Sequence, residues 1–121
     1  GGGMCVVRFY LRQASGDMEA GATYTEYANR DCRVMCLTAF AVGPHAFLVA
    51  AGLSDSRVLL FVYSALTGRY APPALLDAGI AAAALCAAHV HTPNASLVLV
   101  GFTNGRVAVW DVSSAAQQAA S

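Results

Sequence analysis

The chain has 121 residues, 57% hydrophobic and 12% charged, against roughly 45–50% and ~25% in ordinary soluble domains. That balance excludes disorder for most of its length. Its seven cations are all Arg and offset seven Asp and Glu, so the composition also excludes a nucleic-acid grip built on a strong basic field.

In chain order, the first element is a strand over Cys5–Leu11, followed by a long polar connection over Gln13–Arg30. The opening GGGMCVVRFYLR lacks the charged segment and long apolar run of an export signal. A strand over Arg33–Val42 comes next, then the turn Gly43-Pro44-His45. Leu48–Ser64 reads as a hairpin whose polar turn is Ser54-Asp55-Ser56-Arg57. After Thr67-Gly68-Arg69, residues Tyr70–Asp77 supply a short fourth strand broken by Pro72-Pro73. Leu85–His91 is strand-like, Thr92-Pro93-Asn94 is a turn, and Leu97–Ser113 is a second hairpin turning at Thr103-Asn104-Gly105-Arg106. Asn104-Gly105 predicts a type I′ turn, with both central residues at positive φ. An Ala/Gln/Ser tail closes the chain.

The two hairpins superimpose without a gap. LVAAGLSDSRVLLFVYS (48–64) lies over LVLVGFTNGRVAVWDVS (97–113), matching Gly52 with Gly101, Arg57 with Arg106 and Phe61 with Trp110. The unit is strand, turn, hairpin, turn, short outer strand. It divides the chain into a preceding strand and connection (1–32), one repeat (33–77) and a second with the tail (78–121). Ala74–Ala88 has the highest helix propensity in the chain. The repeat phase instead requires an outer strand, a turn near Asp77–Ile80 and an inner strand, and the repeat is followed here.

A four-stranded unit at this spacing, with a polar turn ahead of a strand ending Trp-Asp, resembles a WD-repeat β-propeller. The residues carrying the resemblance are Leu97–Val100, Gly101, Thr103-Asn104-Gly105, Val107, Val109 and Trp110-Asp111. The earlier copy matches at Ser54, Asp55, Val58 and Phe61, but has Val62 where the family has Asp. No histidine stands near Ile80, where the family often places one, so both blades are degenerate. The resemblance implies an all-β fold of antiparallel four-stranded blades, with Gly52, Phe61, Gly101, Gly105, Trp110 and Asp111 as structural blade residues. Trp110 is then expected buried between blades in the whole propeller, its indole N–H bonded to a carbonyl or a serine hydroxyl, and only partly covered in the fragment, where the following blade is absent. Propellers have about four to eight blades. This length covers two blades and part of a third, so the chain is expected to be a fragment whose first partner is the rest of its propeller.

A narrower resemblance rests on Asp31-Cys32-Arg33-Val34-Met35 opening a strand, the two hairpins and the Cys/His-containing strand between them. These are similar to the C-terminal propeller of the large WD-repeat proteins that partner a tRNA ribose 2′-O-methyltransferase. In that group the WD protein is non-catalytic and helps the enzyme engage its tRNA at the anticodon wobble position. The resemblance implies protein partners, tRNA contact that is indirect or weak, no cofactor and no membrane. The alternative is a WD-repeat adaptor in a ubiquitin-ligase or trafficking complex.

Residue chemistry adds little beside this. His89 and His91 share a strand face with Cys86 near in sequence, so a small metal-binding domain or enzyme using these three is the remote alternative. No Cys-x-x-Cys or second ligand cluster supports it. The cysteines Cys5, Cys32, Cys36 and Cys86 read as buried free thiols of a reducing compartment, with the cytoplasm or nucleus as location. Cys32 and Cys36 are too far apart along an extended strand for a disulfide. The candidate partner-binding rim is Asp55, Arg57, Asn104 and Arg106, since both turns lie on one edge of a propeller. Asp and Asn cap such turns in their own right, while an Arg repeated at one register can hold a phosphate or carboxylate bidentately.

Overall fold

The computed structural model describes residues 5–12, 14–26 and 31–120. Strands β1 (Cys5–Arg12) and β2 (Met18–Glu26) form an antiparallel hairpin. A second sheet holds β3 (Val34–Ala41), β4 (Ala46–Leu53) and β5 (Val58–Ser64) in order. β6 (Arg69–Tyr70) and β7 (Ala74–Leu76) both pair with the outer edge of β5. A third sheet holds β8 (Ala84–His91), β9 (Ser96–Phe102) and β10 (Val107–Asp111), followed by the helix α1 (Ser113–Ala120). All pairings are antiparallel. Among the described residues the protein is all-β apart from this short helix. Among the described residues no helix is long and apolar enough to cross a membrane.

One expectation is corrected. The connection expected over Gln13–Arg30 contains β2, because Thr23, Tyr24 and Thr25 favour strands and Tyr24 packs inward against the second sheet. A register break between Thr23 and Ala20 interrupts its alternation. Gln13 and residues 27–30 lie outside the described residues. The tail, in turn, is helical over residues 113–120. The strand-turn-strand reading of Ala74–Ala88 matches the structure. Asp77 Oδ1 accepts the Gly79 N–H at 2.8 Å, and Gly79 adopts φ 67°, a left-handed step that a continuing helix does not make. The short outer strand is split where Pro72 and Pro73 lack N–H donors, and the Ala71 N–H reaches Val62 O at 2.9 Å.

The layers stack in sequence order. Val49, Ala51, Leu53 and Phe61 of the second sheet face Val7, Phe9 and Tyr24 of the hairpin. On its other face, Leu48, Ala50, Val58 and Leu60 meet Val98, Val100 and Phe102 of the third sheet. Those three residues are the counterparts of Val49, Ala51 and Leu53, shifted by 49. Each sheet therefore turns the same face toward the layer before it. β3 and β8 lie side by side and run the same way, with Thr38 bonded to His89 at 2.7 Å and Phe40 stacked on His89.

Candidate functional rim of the two turns

Both polar turns close three-residue loops in the same manner. Leu53 and Phe102 donate their N–H groups to Arg57 O (2.9 Å) and Arg106 O (2.8 Å), and Ser56 and Gly105 donate back to Leu53 O and Phe102 O. Ser56 has φ 78° and Gly105 φ 82°. This is a turn followed by one left-handed residue, the three-residue hairpin geometry. The type I′ expectation is corrected, since Gly105 alone is left-handed in the second loop. Each turn is also tied to the start of its sheet's first strand. The Ser54 N–H donates to Arg33 O at 2.8 Å, and the Thr103 N–H to Ala83 O at 3.0 Å. Because β3 and β8 run together, Asp55, Arg57, Asn104 and Arg106 share one end of the stack.

The capping role is present in both copies. Asp55 Oδ1 accepts the Arg57 N–H at 3.3 Å, and Asn104 Oδ1 accepts the Arg106 N–H at 3.2 Å. The arginines then differ. Arg57 folds back, donating through Nε to Asp55 Oδ2 at 2.8 Å, with Nη2 also 2.8 Å from that oxygen and 3.9 Å from the buried Cys32 sulfur. Arg106 stands beside a neutral Asn and is exposed. The rim offers one cation already neutralised and one facing solvent, so an anion meets Arg106 first.

Gly52 and Gly101 are structural. A Cβ on Gly52 would lie 2.6 Å from Cys36 Sγ and 2.8 Å from Ala84 Cβ, and one on Gly101 would lie 2.9 Å from Cys86 Sγ. Each cysteine fills the notch left by the glycine paired with it. Phe61 is fully buried, with edge-on contacts to Phe9, Tyr24 and Tyr70. Trp110 is partly buried, packed against the core, as expected for a blade with no following one, but its indole N–H has no acceptor among the described residues. Phe61 gains cover from Tyr70 on the outer strand of its own sheet, whereas among the described residues β10 has no such neighbour. Asp111 accepts from both the hydroxyl and the N–H of Ser113. It satisfies a free donor at the start of α1, and the Ser113 hydroxyl foremost holds its carboxyl below the ordinary range.

The remote metal alternative is not assembled. His89 and His91 pair with Val98 and Ser96, whereas Cys86 pairs with Gly101 on the opposite face. His91 Nδ1 is 2.6 Å from the Ser96 hydroxyl. No group of three or more metal-ligating side chains occurs among the described residues. The cysteines are also not uniformly buried. Cys32 is, Cys36 is half-covered with burial raising its thiol pKa, and Cys86 is exposed; the side chain of Cys5 lies outside the described residues. Sequence comparison missed the equivalence of Cys36 and Cys86. Between paired ends, five residues join β3 to β4 and four join β8 to β9, so the first strands match at an offset of 50 and an ungapped overlay misaligns them. At the far end, a concavity of about 520 Å³ is lined by His45, Thr67 and Arg69. Comparisons with protein-family models, with characterised proteins and with solved structures found no match.

Proposed function

We propose that the chain forms two blades of a WD-repeat propeller and acts as a non-catalytic protein-interaction scaffold. The observation that supports this most is the packing equivalence: Val98, Val100 and Phe102 face the second sheet as Val49, Ala51 and Leu53 face the hairpin before it. Layers stabilised by identical neighbour contacts are the physics of repeat proteins. The rim of Asp55, Arg57, Asn104 and Arg106 is the partner-binding edge, and its wider surface is backbone-anchored turn rather than catalytic machinery. The resemblance to the large WD-repeat partners of a tRNA ribose 2′-O-methyltransferase makes such an enzyme the partner to test first.

The test is affinity capture with the full-length gene product carrying this chain, read by quantitative mass spectrometry. An Arg106→Glu variant is run beside it. Recovery of a ribose methyltransferase, lost with the variant, is the expected result. Recovery of trafficking or ubiquitin-ligase subunits alone overturns the partner assignment, and undiminished recovery with Arg106→Glu overturns the rim.

A further inference from the structure

The two polar turns are built alike, yet the atom that would hold the arginine differs. In the first, the Asp55 carboxylate accepts the Arg57 N–H through Oδ1 at 3.3 Å and the Arg57 Nε–H through Oδ2 at 2.8 Å. In the second, Asn104 Oδ1 accepts the Arg106 N–H at 3.2 Å, and the other atom on Cγ is an amide nitrogen, a donor with nothing to offer a guanidinium. Replacing that nitrogen by oxygen would give residue 104 the same two acceptors. Asn104 is also the one asparagine of the chain followed by glycine; Asn29 and Asn94 precede Arg30 and Ala95. Gly105 has no Cβ to shield its backbone nitrogen, and a Cβ built there would meet nothing within 4 Å. The residues of the second turn are all exposed, while those of the first are half-buried. The first turn keeps its Asp–Arg geometry with a layer on both faces of its sheet, so the same geometry at residues 104 and 106 is compatible with a further layer beside β10.

We infer that Asn104-Gly105 is a spontaneous deamidation site, and that the conversion closes Arg106 onto residue 104 as Arg57 is closed onto Asp55. The Gly105 backbone nitrogen, its proton taken by hydroxide, attacks Asn104 Cγ. The new C–N bond closes a five-membered succinimide, and Nδ2 leaves as ammonia with a proton from water. Water then adds to one ring carbonyl and breaks its bond to the ring nitrogen, which regains a proton. Opening at Cγ leaves an aspartate side chain; opening at the main-chain carbonyl leaves an isoaspartate, with Cβ carried into the main chain. The net change is one water consumed, one ammonia released and one carboxylate gained. The Gly105 N–H donates to Phe102 O at 3.0 Å, so this bond opens before the nitrogen attacks, and local opening of the turn sets the pace. Either product places a carboxylate beside Arg106, and the aspartate form keeps the cap while gaining a charge-assisted bond to the guanidinium. The regulatory consequence, a solvent-facing cation withdrawn with time, rests on the reading of this edge as a partner-binding rim; the chemical conversion does not.

The experiment incubates the intact chain at mildly alkaline pH and reads it by peptide mapping and mass spectrometry. Conversion is expected to accumulate at Asn104 and not at Asn94, and to quicken as hydroxide rises. It should slow several-fold in Gly105→Ser, which installs the residue that the first turn holds at the same place with φ 78°; if that variant does not fold, the contrast with Asn94 decides. Asn104→Asp is a stable form of the aspartate product. In it the Arg106 Nε–H, followed by NMR, should exchange with solvent more slowly, toward the behaviour of Arg57, while Asn104→Ser, a neutral cap, should leave it unchanged. No conversion at Asn104, equal conversion at Asn94, or a rate unaffected by Gly105→Ser overturns the site. An Arg106 Nε–H that exchanges identically in the wild type and in Asn104→Asp overturns the closure. In affinity capture with the full-length product, Asn104→Asp should lower recovery about two- to fivefold, the measure of an exposed ion pair. Undiminished recovery with Asn104→Asp where Arg106→Glu loses it overturns the regulation and leaves the rim standing. Undiminished recovery with both removes the rim and leaves the conversion standing.

Discussion

The second and third sheets are nearly the same sequence pattern in two different surroundings. Leu60 and Val109 occupy one register position, as do Phe61 and Trp110, yet the first of each pair is buried and the second is open or half-open. The second sheet has a layer on both faces and an outer strand on its edge; among the described residues the third has one covered face and no strand beside β10 on its outer edge. Burial in a layered repeat is thus a property of the neighbour as much as of the residue. Stabilisation by burial, roughly 25 cal/mol per Å² of apolar surface, is realised only where that neighbour exists.

Paired substitutions would break this comparison if it is wrong. The largest contrast is a charge at one register. Leu60→Asp buries an unpaired carboxylate and should cost about 4 kcal/mol or more, whereas Val109→Asp should stay within roughly 0.5 kcal/mol. Urea titration of the two variants reads it, and equal losses would mean that the outer face of the third sheet is covered. Next is the aromatic position. Phe61→Ala should cost about 3–5 kcal/mol, the usual range for a buried Phe, and Trp110→Ala less, because part of its ring stays in water. The same measurement in a longer product, with a further layer beside β10, should raise the Trp110 cost toward the Phe61 value.

Smaller effects sharpen the contrast at the glycines. Gly52→Ala drives a methyl against both Cys36 Sγ and Ala84 Cβ, the second held by a packed sheet, and should cost about 1–3 kcal/mol as overpacking does. Gly101→Ala meets only the sulfur of an exposed cysteine, which can rotate away, and should cost less than about 1 kcal/mol. Thermal melts of both variants test this, and an equal cost would place a fixed group beside Gly101. The smallest effect concerns acid. Asp111 stands where the first repeat has Val62, and its carboxyl is held below the ordinary value of 3.8 by Ser113. A carboxyl depressed in the folded state contributes stability above its unfolded pKa, and that contribution fades as pH falls through the folded one. Asp111→Asn should therefore lower the melting temperature slightly near neutrality, with the difference closing below pH 3.8. A difference that persists unchanged into strong acid would show that the charge is not what matters. Val62→Ala, by contrast, should show no such acid dependence.

Much of the fold was legible because hairpins announce themselves locally. The polar tetrads 54–57 and 103–106, flanked by β-branched runs, placed both turns correctly, and the phase between them overruled the alanine-rich helix signal at residues 74–88. The misses share a cause. β2 was hidden because an extra residue between Thr23 and Ala20, opposite Arg8 and Tyr10, breaks its alternation, and such a strand is recognised by what it packs on, here Phe61 and its neighbours. The Cys36–Cys86 equivalence was hidden by a one-residue difference in a connecting turn. The four turn residues Asp55, Arg57, Asn104 and Arg106 do lie at one end of the stack, but the unequal states of the two arginines were not foreseen. Asp55 and Asn104 both cap their turns, and only the charge on Asp55 draws the guanidinium of Arg57 back.

The sequence by itself determined the antiparallel β class, the two hairpin turns and the repeat that relates them, since these follow from side-chain alternation and turn chemistry within a few residues. Only the tertiary structure decided that residues 18–26 form a strand, that Phe61 is sealed while Trp110 is partly covered, and that among the described residues β10 pairs with β9 alone. Each of those depends on which layer lies alongside, and contacts between segments tens of residues apart are set by packing and hydrogen-bond satisfaction rather than by local preference.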